Sequence, residues 1–296
     1  MSNSFDIAVI GAGIAGASVA AELSQHCAVV LIEMEAQPGY HSTGRSAAVF
    51  APTYGPGPVR ALTRASAAFF KSPPDGFAEH SLLTPRGALF IARGDQLDQL
   101  GQALEELGRE ARLEKLDAKA ARQCQPLLRE DYVEAGIYDP NCFDIDVHAL
   151  HQGYLRAFAA RGGRLAKGFE VASLTKSSGK WMLRCAENVL NAPIVVNAAG
   201  AWADLVGRLA GAEPIGLVPK RRTAMTIDAD SSLFDDGAPL TLDIAEEFYA
   251  KPDAGKLLVS PANENPESPC DVQPDEMDIA LCIHRIEQAF DIKVWR

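Results

Sequence analysis

Residues 7–33 read IAVIGAGIAGASVAAELSQHCAVVLIE, and the order of residue types in this stretch decides the fold class. Ile7, Ala8, Val9 and Ile10 form a continuous apolar run, as a parallel strand buried on both faces requires. Gly11, Gly13 and Gly16 then follow the pattern G-x-G-x-x-G. The alanine-rich stretch from Ala17 to His26 predicts a helix, and Ala28 to Ile32 a second buried strand that ends at Glu33. Each small residue has a physical task in such a unit. Gly11 permits the tight turn, Gly13 lets the backbone approach a pyrophosphate, and Gly16 with Ala17 and Ala20 lets the helix pack close to the strands. The helix then presents unpaired N–H groups and its positive dipole end to the phosphates. Glu33 stands where a carboxylate accepts hydrogen bonds from ribose hydroxyls. A lone glycine motif is weak evidence, but here it sits in strand, turn, helix, strand, acid order, which predicts a dinucleotide-binding unit.

The next segment separates a flavin from a nicotinamide nucleotide. Residues 36–48, AQPGYHSTGRSAA, place small and hydroxyl-bearing side chains around one arginine. Such a loop can wrap the ribityl and pyrophosphate part of a flavin nucleotide. Ser42, Thr43, Gly44, Arg45 and Ser46 supply N–H and hydroxyl donors, while Ala47 and Ala48 permit close approach. Ala15 in the glycine turn and Met34 beside Glu33 complete the expected contacts of the amino-terminal part.

Composition narrows the function classes. A chain of 296 residues suffices for one large domain or two smaller ones. Its net charge of −11, without any basic block, argues against nucleic-acid and anionic-membrane partners. The six cysteines include no C-x-x-C pair and the N-terminus lacks a basic signal region, so reduced thiols in a cytoplasmic protein are expected. No stretch is long and apolar enough for a transmembrane segment.

The chain resembles the D-amino-acid oxidase superfamily, with bacterial D-arginine dehydrogenases as the most similar members. The matching stretches are residues 36–48, Asp144 to Arg156 (DIDVHALHQGYLR), Val195 to Asp204 (VVNAAGAWAD), Pro219 to Arg222 (PKRR) and Lys251 to Asn263 (KPDAGKLLVSPAN). The resemblance implies an α/β fold in which a Rossmann-like FAD-binding domain is interleaved with an α+β substrate domain on a mostly antiparallel sheet. FAD-binding segments are expected at 1–78 and 144–215, and substrate-domain segments at 79–143 and 216–296. The family's further strands after residue 296 have no counterpart, so the chain reads as C-terminally truncated.

Other elements follow from local pattern. Leu97 to Leu107 and Asp117 to Gln123 predict short helices, and Asp146 an N-cap for a helix from Val147 to Arg161, closed by Gly162 and Gly163. A strand is expected to begin at Phe169, Glu170 and Val171; in the resembled family the position of Val171 meets the adenine through its backbone. Pro193 to Asn197 reads as a strand feeding a close-approach turn at Ala198, Ala199 and Gly200. Glu247 to Lys251 and Lys256 to Ser260 predict a hairpin turning at residues 252–255. Ile279, Ile283, Ile286 and Phe290 predict one face of a helix from about Pro274, and Ile292 to Trp295 the opening of one more strand.

The resemblance also assigns chemistry. FAD, held non-covalently, would carry the redox step, with the protein supplying orientation and electrostatics. On a strand Arg221 and Arg222 point to opposite faces, so one of them can grip a substrate carboxylate bidentately; the family match selects Arg222. Tyr249 matches a carboxylate-binding position and Tyr54 a tyrosine near the substrate, placed to orient the amine or a water. No strong general base is evident, so the amine is expected to enter deprotonated. Where arginine-specific relatives carry an acid this chain has Ala88, and the loop after Ala48, which reads Val49, Phe50, Ala51, lacks their histidine. Burying a guanidinium unpaired costs several kcal/mol (about 2–7 for a polar group alone), so a neutral or apolar D-amino acid is the expected small-molecule partner. The predicted reaction is oxidative deamination to an imino acid, then a 2-oxo acid and ammonia, with oxygen or a quinone as electron acceptor. Two other readings stand beside it: a glycine- or sarcosine-like amine as substrate, and an inactive remnant. His148 and His151 superficially suggest a metal site, but helix capping and packing explain them and no metal is expected.

Overall fold

The structure, a computed structural model, describes residues 3–228 and 236–294. One half is built on a four-stranded parallel sheet in the order Ile194–Asn197, Ile7–Ile10, Val29–Ile32, Arg164–Ala166. Both faces of the central strands are covered, which is why their sequences are continuously apolar. Ile7, Val9, Val29 and Leu31 pack against helix Ile14–Leu23 and Phe158 of helix Val147–Ala160. Ala8, Ile10, Val30 and Ile32 face the antiparallel sheet Ser173–Ser177, Lys180–Cys185, Asn188–Ala192 through Leu174, Leu183 and Leu190.

The other half is a seven-stranded mixed sheet in the order Met225–Ile227, Lys256–Ser260, Tyr249–Asp253, Leu240–Asp243, Ala88–Ala92, Ala135–Asp139, Glu114–Asp117. Every pairing is antiparallel except Leu240–Asp243 with Ala88–Ala92. The two-residue period of a strand splits its side chains. Leu89, Ile91, Ala250 and Val259 pack on helix Glu276–Ala289, whereas Ala88, Phe90, Leu242 and Tyr249 form the opposite, site-facing cluster. Half-buried Asp144 ties the small sheet of Val49–Phe50, Phe143–Ile145 and Leu83–Pro85 to this larger one, accepting from Arg86 Nε at 2.7 Å and from Lys251 Nζ at 2.8 Å. The α/β class and the pairing of a Rossmann-like domain with a substrate domain are as expected. No helix among the described residues is long and apolar enough to cross a membrane.

Several local expectations shift. The first helix starts at Ile14, three residues early, and ends at Leu23, so Gly16 lies in its first turn. Helix Leu97–Leu107 matches, and Asp117 and Asp146 both cap, accepting from Ala120 N at 2.8 Å and Ala149 N at 2.7 Å. No strand begins at Phe169: its N–H donates to Glu33 O at 2.8 Å, which holds the chain as an extended link until Ser173. The hairpin turns at Ala254 and Gly255, both at positive φ (51° and 78°), so Pro252 and Asp253 are strand residues. This two-residue turn with both φ positive matches the twist of the strands it joins. Helix Glu276–Ala289 buries Ile286, with Phe290 at its end, as expected; Asp278, Cys282 and Ala289 complete the buried face, and Ile279 and Ile283 are half-buried. Ile292 to Val294 form no strand, and Trp295 lies outside the described residues.

Candidate functional site

Two adjoining cavities share His41, Ser42, Ala201 and Trp202 in their walls. The first, about 470 Å³, is a groove along the ends of the parallel strands, lined by Gly11, Gly13, Glu33, Met34, Ser42, Thr43, Val171, Ala199 and Gly200 among others. The second, about 430 Å³, is a chamber on the site-facing side of the mixed sheet.

The groove is shaped by missing side chains. Gly11 sits at φ +99°, and a Cβ there would lie 2.3 Å from Ala198 O. A Cβ on Gly16 would lie 1.7 Å from Gly11 O, so helix and turn touch backbone to backbone. The helix opens at Gly13 with no side-chain cap, and Thr43 Oγ1 accepts from Ile14 N at 3.0 Å, which draws the 36–48 loop onto the helix start. Glu33, only 7% exposed, accepts from Ala12 N and Glu35 N, both at 3.0 Å. It therefore braces the glycine turn while still rimming the groove, since each carboxylate oxygen keeps a second lone pair. A glycine floor, N–H donors at a helix amino terminus and an acid that accepts from ribose hydroxyls are the groups a dinucleotide needs, so the residues present fit FAD.

Not every expected contact reaches a cavity. Ala15 is exposed on the helix and Gly16 is spent on packing against Gly11; neither lines the groove. Gly44 and Ala48 face a third, polar cavity on the far side of the loop. Ser46 and Ala47 line both that cavity and the chamber. Arg45 lines the chamber, with its guanidinium committed to Asp271 (2.5 Å) and Val272 O (3.1 Å) over the Tyr40 ring. His151 is buried, its Nε2 2.9 Å from Ala12 O and its ring against Gly39, so it supports the turn. Among the described residues no group of three or more His, Cys, Asp or Glu is placed to hold a metal ion.

The chamber brings together Val49, Tyr54, Ala88, Arg222 and Tyr249, which lie far apart in sequence. Ala88 and Phe90 from one strand and Leu240 and Leu242 from its neighbour make an apolar wall. Burial raises the Tyr249 phenol, offset in part by the Ser260 hydroxyl and the Arg222 charge. Tyr54 follows Thr53, whose hydroxyl donates to buried Asp139 at 2.6 Å and fixes that loop. Arg221 and Arg222 do not face oppositely as predicted: the strand is only Lys220–Arg221, Arg222 lies beyond its end, and both line the chamber. They differ in commitment. Arg221 pairs with Asp278 (3.0 Å), Glu267 (3.1 Å) and Asp275 (3.3 Å), whereas among the described residues Arg222 bonds Glu264 (2.7 Å) and Asn263 O (3.3 Å).

Three features went unread in the sequence. Segment 267–272 forms a chamber wall through Glu267, Ser268, Pro269, Cys270 and Val272; it is irregular and carries no periodic signal. His41 packs on Trp202 with ring centroids 4.6 Å apart and Nε2 3.0 Å from Glu35 Oε1, narrowing the waist between the cavities. Phe90 was legible in principle, through strand alternation from Ala88; Leu242 was not, because its strand meets that one only in the folded sheet.

The family described as FAD dependent oxidoreductase matches residues 6–293. Human mitochondrial dimethylglycine dehydrogenase is 29% identical over 149 residues, which covers 49% of this chain and 17% of that protein. The chain thus spans only a small part of the length of the curated relatives it matches. Glycine oxidase from Geobacillus kaustophilus superposes with a TM-score of 0.83 at 20% identity, over 98% of this chain and 79% of its own. L-proline dehydrogenase from P. horikoshii gives 0.81 at 18% identity, over 100% and 80%. These likenesses show the fold. The relatives' names point to glycine, proline and dimethylglycine rather than to D-arginine.

Proposed function

The chain belongs to the FAD dependent oxidoreductase family, and from that premise we propose that it oxidises an amino acid with an uncharged side chain at the α-carbon. Its cofactor is FAD. We take residues 1–78 and 144–215 as the FAD-binding segments, holding the cofactor non-covalently, and 79–143 and 216–296 as the substrate-domain segments. The observation that carries the reading is one lightly committed guanidinium, Arg222, beside a phenol, Tyr249, in a mainly apolar chamber that opens onto the dinucleotide groove.

When bound, FAD supplies the two-electron acceptor for the hydride of the substrate α-carbon. Arg222 receives the substrate carboxylate in charge-assisted hydrogen bonds, and the Tyr249 hydroxyl donates a further one. Tyr54 orients the amine. The amine enters neutral, because its lone pair forms the C=N bond as the hydride leaves. Water then converts the imino acid to a 2-oxo acid and ammonia. Ala88, Phe90, Leu240 and Leu242 offer no partner to a charged side chain, which favours D-amino acids such as D-leucine or D-methionine over D-arginine. Oxygen or a quinone would serve as the final electron acceptor.

A second reading has support of its own. The names of the dimethylglycine dehydrogenase, glycine oxidase and proline dehydrogenase favour glycine or a secondary or tertiary amine in the same chamber. Steady-state turnover of D-leucine, D-arginine, glycine, sarcosine and L-proline separates the two. Arg222→Lys keeps the charge but loses the planar fork, so KM for the preferred substrate is expected to rise about tenfold to a hundredfold. An unchanged KM would remove Arg222 from the site.

A further inference from the structure

Arg222 already holds a carboxylate. A guanidinium presents two forks of paired N–H groups, one side-on through Nε and Nη2 and one end-on through Nη1 and Nη2. Here the side-on fork is filled: Nε donates to Asn263 O at 3.3 Å and Nη2 to Glu264 Oε1 at 2.7 Å. The other oxygen of Glu264 accepts from Lys220 Nζ. Asn263 is itself fixed, its Oδ1 accepting from Thr223 N at 2.8 Å and its Nδ2 donating to Asp278 at 2.9 Å, whereas the Glu264 side chain is 51% exposed. The Asn263 contact is therefore part of the frame, and the Glu264 contact can be displaced.

We propose that Glu264 is a built-in competitor for the substrate carboxylate, holding Nη2 of Arg222 until a substrate in the chamber draws that N–H away and so setting a weak substrate affinity. The inference rests on Arg222 being the carboxylate anchor. Glu264 acts through Arg222 and is a positioning residue. Lys220 and Arg222 hold the Glu264 carboxyl below the ordinary range, so the competitor is ionised at neutral pH. An exposed ion pair of this kind is worth little, which is what a displaceable competitor requires. Arg221, one residue away, is locked by three acids and cannot substitute.

The test is binding of isobutyrate, a carboxylate with no amine to oxidise, to the purified chain supplemented with FAD, by titration calorimetry at low ionic strength. Glu264→Gln and Glu264→Ala should each bind isobutyrate about twofold to fivefold more tightly than the unaltered chain. Arg222→Met should lose binding. Glu130→Gln, which removes an exposed acid paired to Arg122, controls for net charge and should bind as the unaltered chain does. With amino-acid substrate, the Glu264 variants should lower KM more than they alter kcat. If they bind isobutyrate no better while Arg222→Met loses it, the competitor role is overturned and the anchor stands. If Arg222→Met binds as well as the unaltered chain, both fall.

Discussion

Replacing Gly16 with alanine probes the groove at its tightest point. The added Cβ would lie 1.7 Å from the carbonyl oxygen of Gly11, where real contacts are essentially never under 3.0 Å. One partner must therefore shift by more than about 1 Å, and overpacking of this kind costs roughly 1–3 kcal/mol or more. Neither partner is free to move. Gly11 is pinned by its N–H to Ile32 O at 2.8 Å, and Ala12 by Glu33 at 3.0 Å. The helix behind is packed through Ala20 and Ala21 onto Leu31 and Phe158. The expected result is a thermal midpoint lowered by roughly 5–10 °C and an FAD dissociation constant raised at least about tenfold, read by melting curves and quenching of FAD fluorescence. Gly101→Ala supplies the contrast. Gly101 lies in helix Leu97–Leu107 with nothing within 4 Å of the new Cβ, so the helix should gain up to about 1 kcal/mol and FAD affinity should not move. A Gly16→Ala chain that melts and binds FAD like the unaltered one would refute the reasoning, because the backbone contact would then impose nothing.

Two further predictions follow from the chamber and the surface. Ala88→Glu puts an acid into the apolar wall, so the ratio of kcat/KM for D-arginine to that for D-leucine should rise about tenfold to a hundredfold; an unchanged ratio would show that Ala88 does not face the substrate side chain. Arg60 and Arg64 pull the Glu110 carboxyl down from 4.5 to about 2. A folded-state pKa below the free-chain value stabilises above the latter and is lost as pH falls through the former. The docking of helix Gly57–Lys71 should thus weaken between pH 4.5 and about 2. Glu110→Gln should flatten that part of the midpoint-against-pH curve, and an unaltered slope would count against the pairing.

Much of the fold was legible because it is local. The strand at Ile7–Ile10, the cap at Asp146, and helix Leu97–Leu107 follow from an apolar run, a capping acid and helical period. Phe169 was misread because its N–H bonds to Glu33, a partner no local pattern reveals. The groove was also largely legible, since a glycine turn constrains its own neighbours within one strand–helix unit. The chamber was legible only through resemblance: Ala88 and Tyr249 meet through a seven-stranded sheet, and Val49 and Arg222 reach them from outside it, in an order a sequence does not spell out. Least legible were the charge partners. Arg45 with Asp271 and Arg222 with Glu264 are separated by 226 and 42 residues, and which acid an arginine takes depends on how irregular segments cross.

The measurement closest to the central claim is the visible spectrum of the purified chain with FAD, before and after anaerobic addition of D-leucine, D-methionine, glycine, sarcosine and D-arginine. We expect a protein-bound flavin band that bleaches with an uncharged amino acid and not with D-arginine. A chain that takes up no FAD, or a bound flavin that stays oxidised with every uncharged amine yet bleaches with D-arginine, would contradict the account.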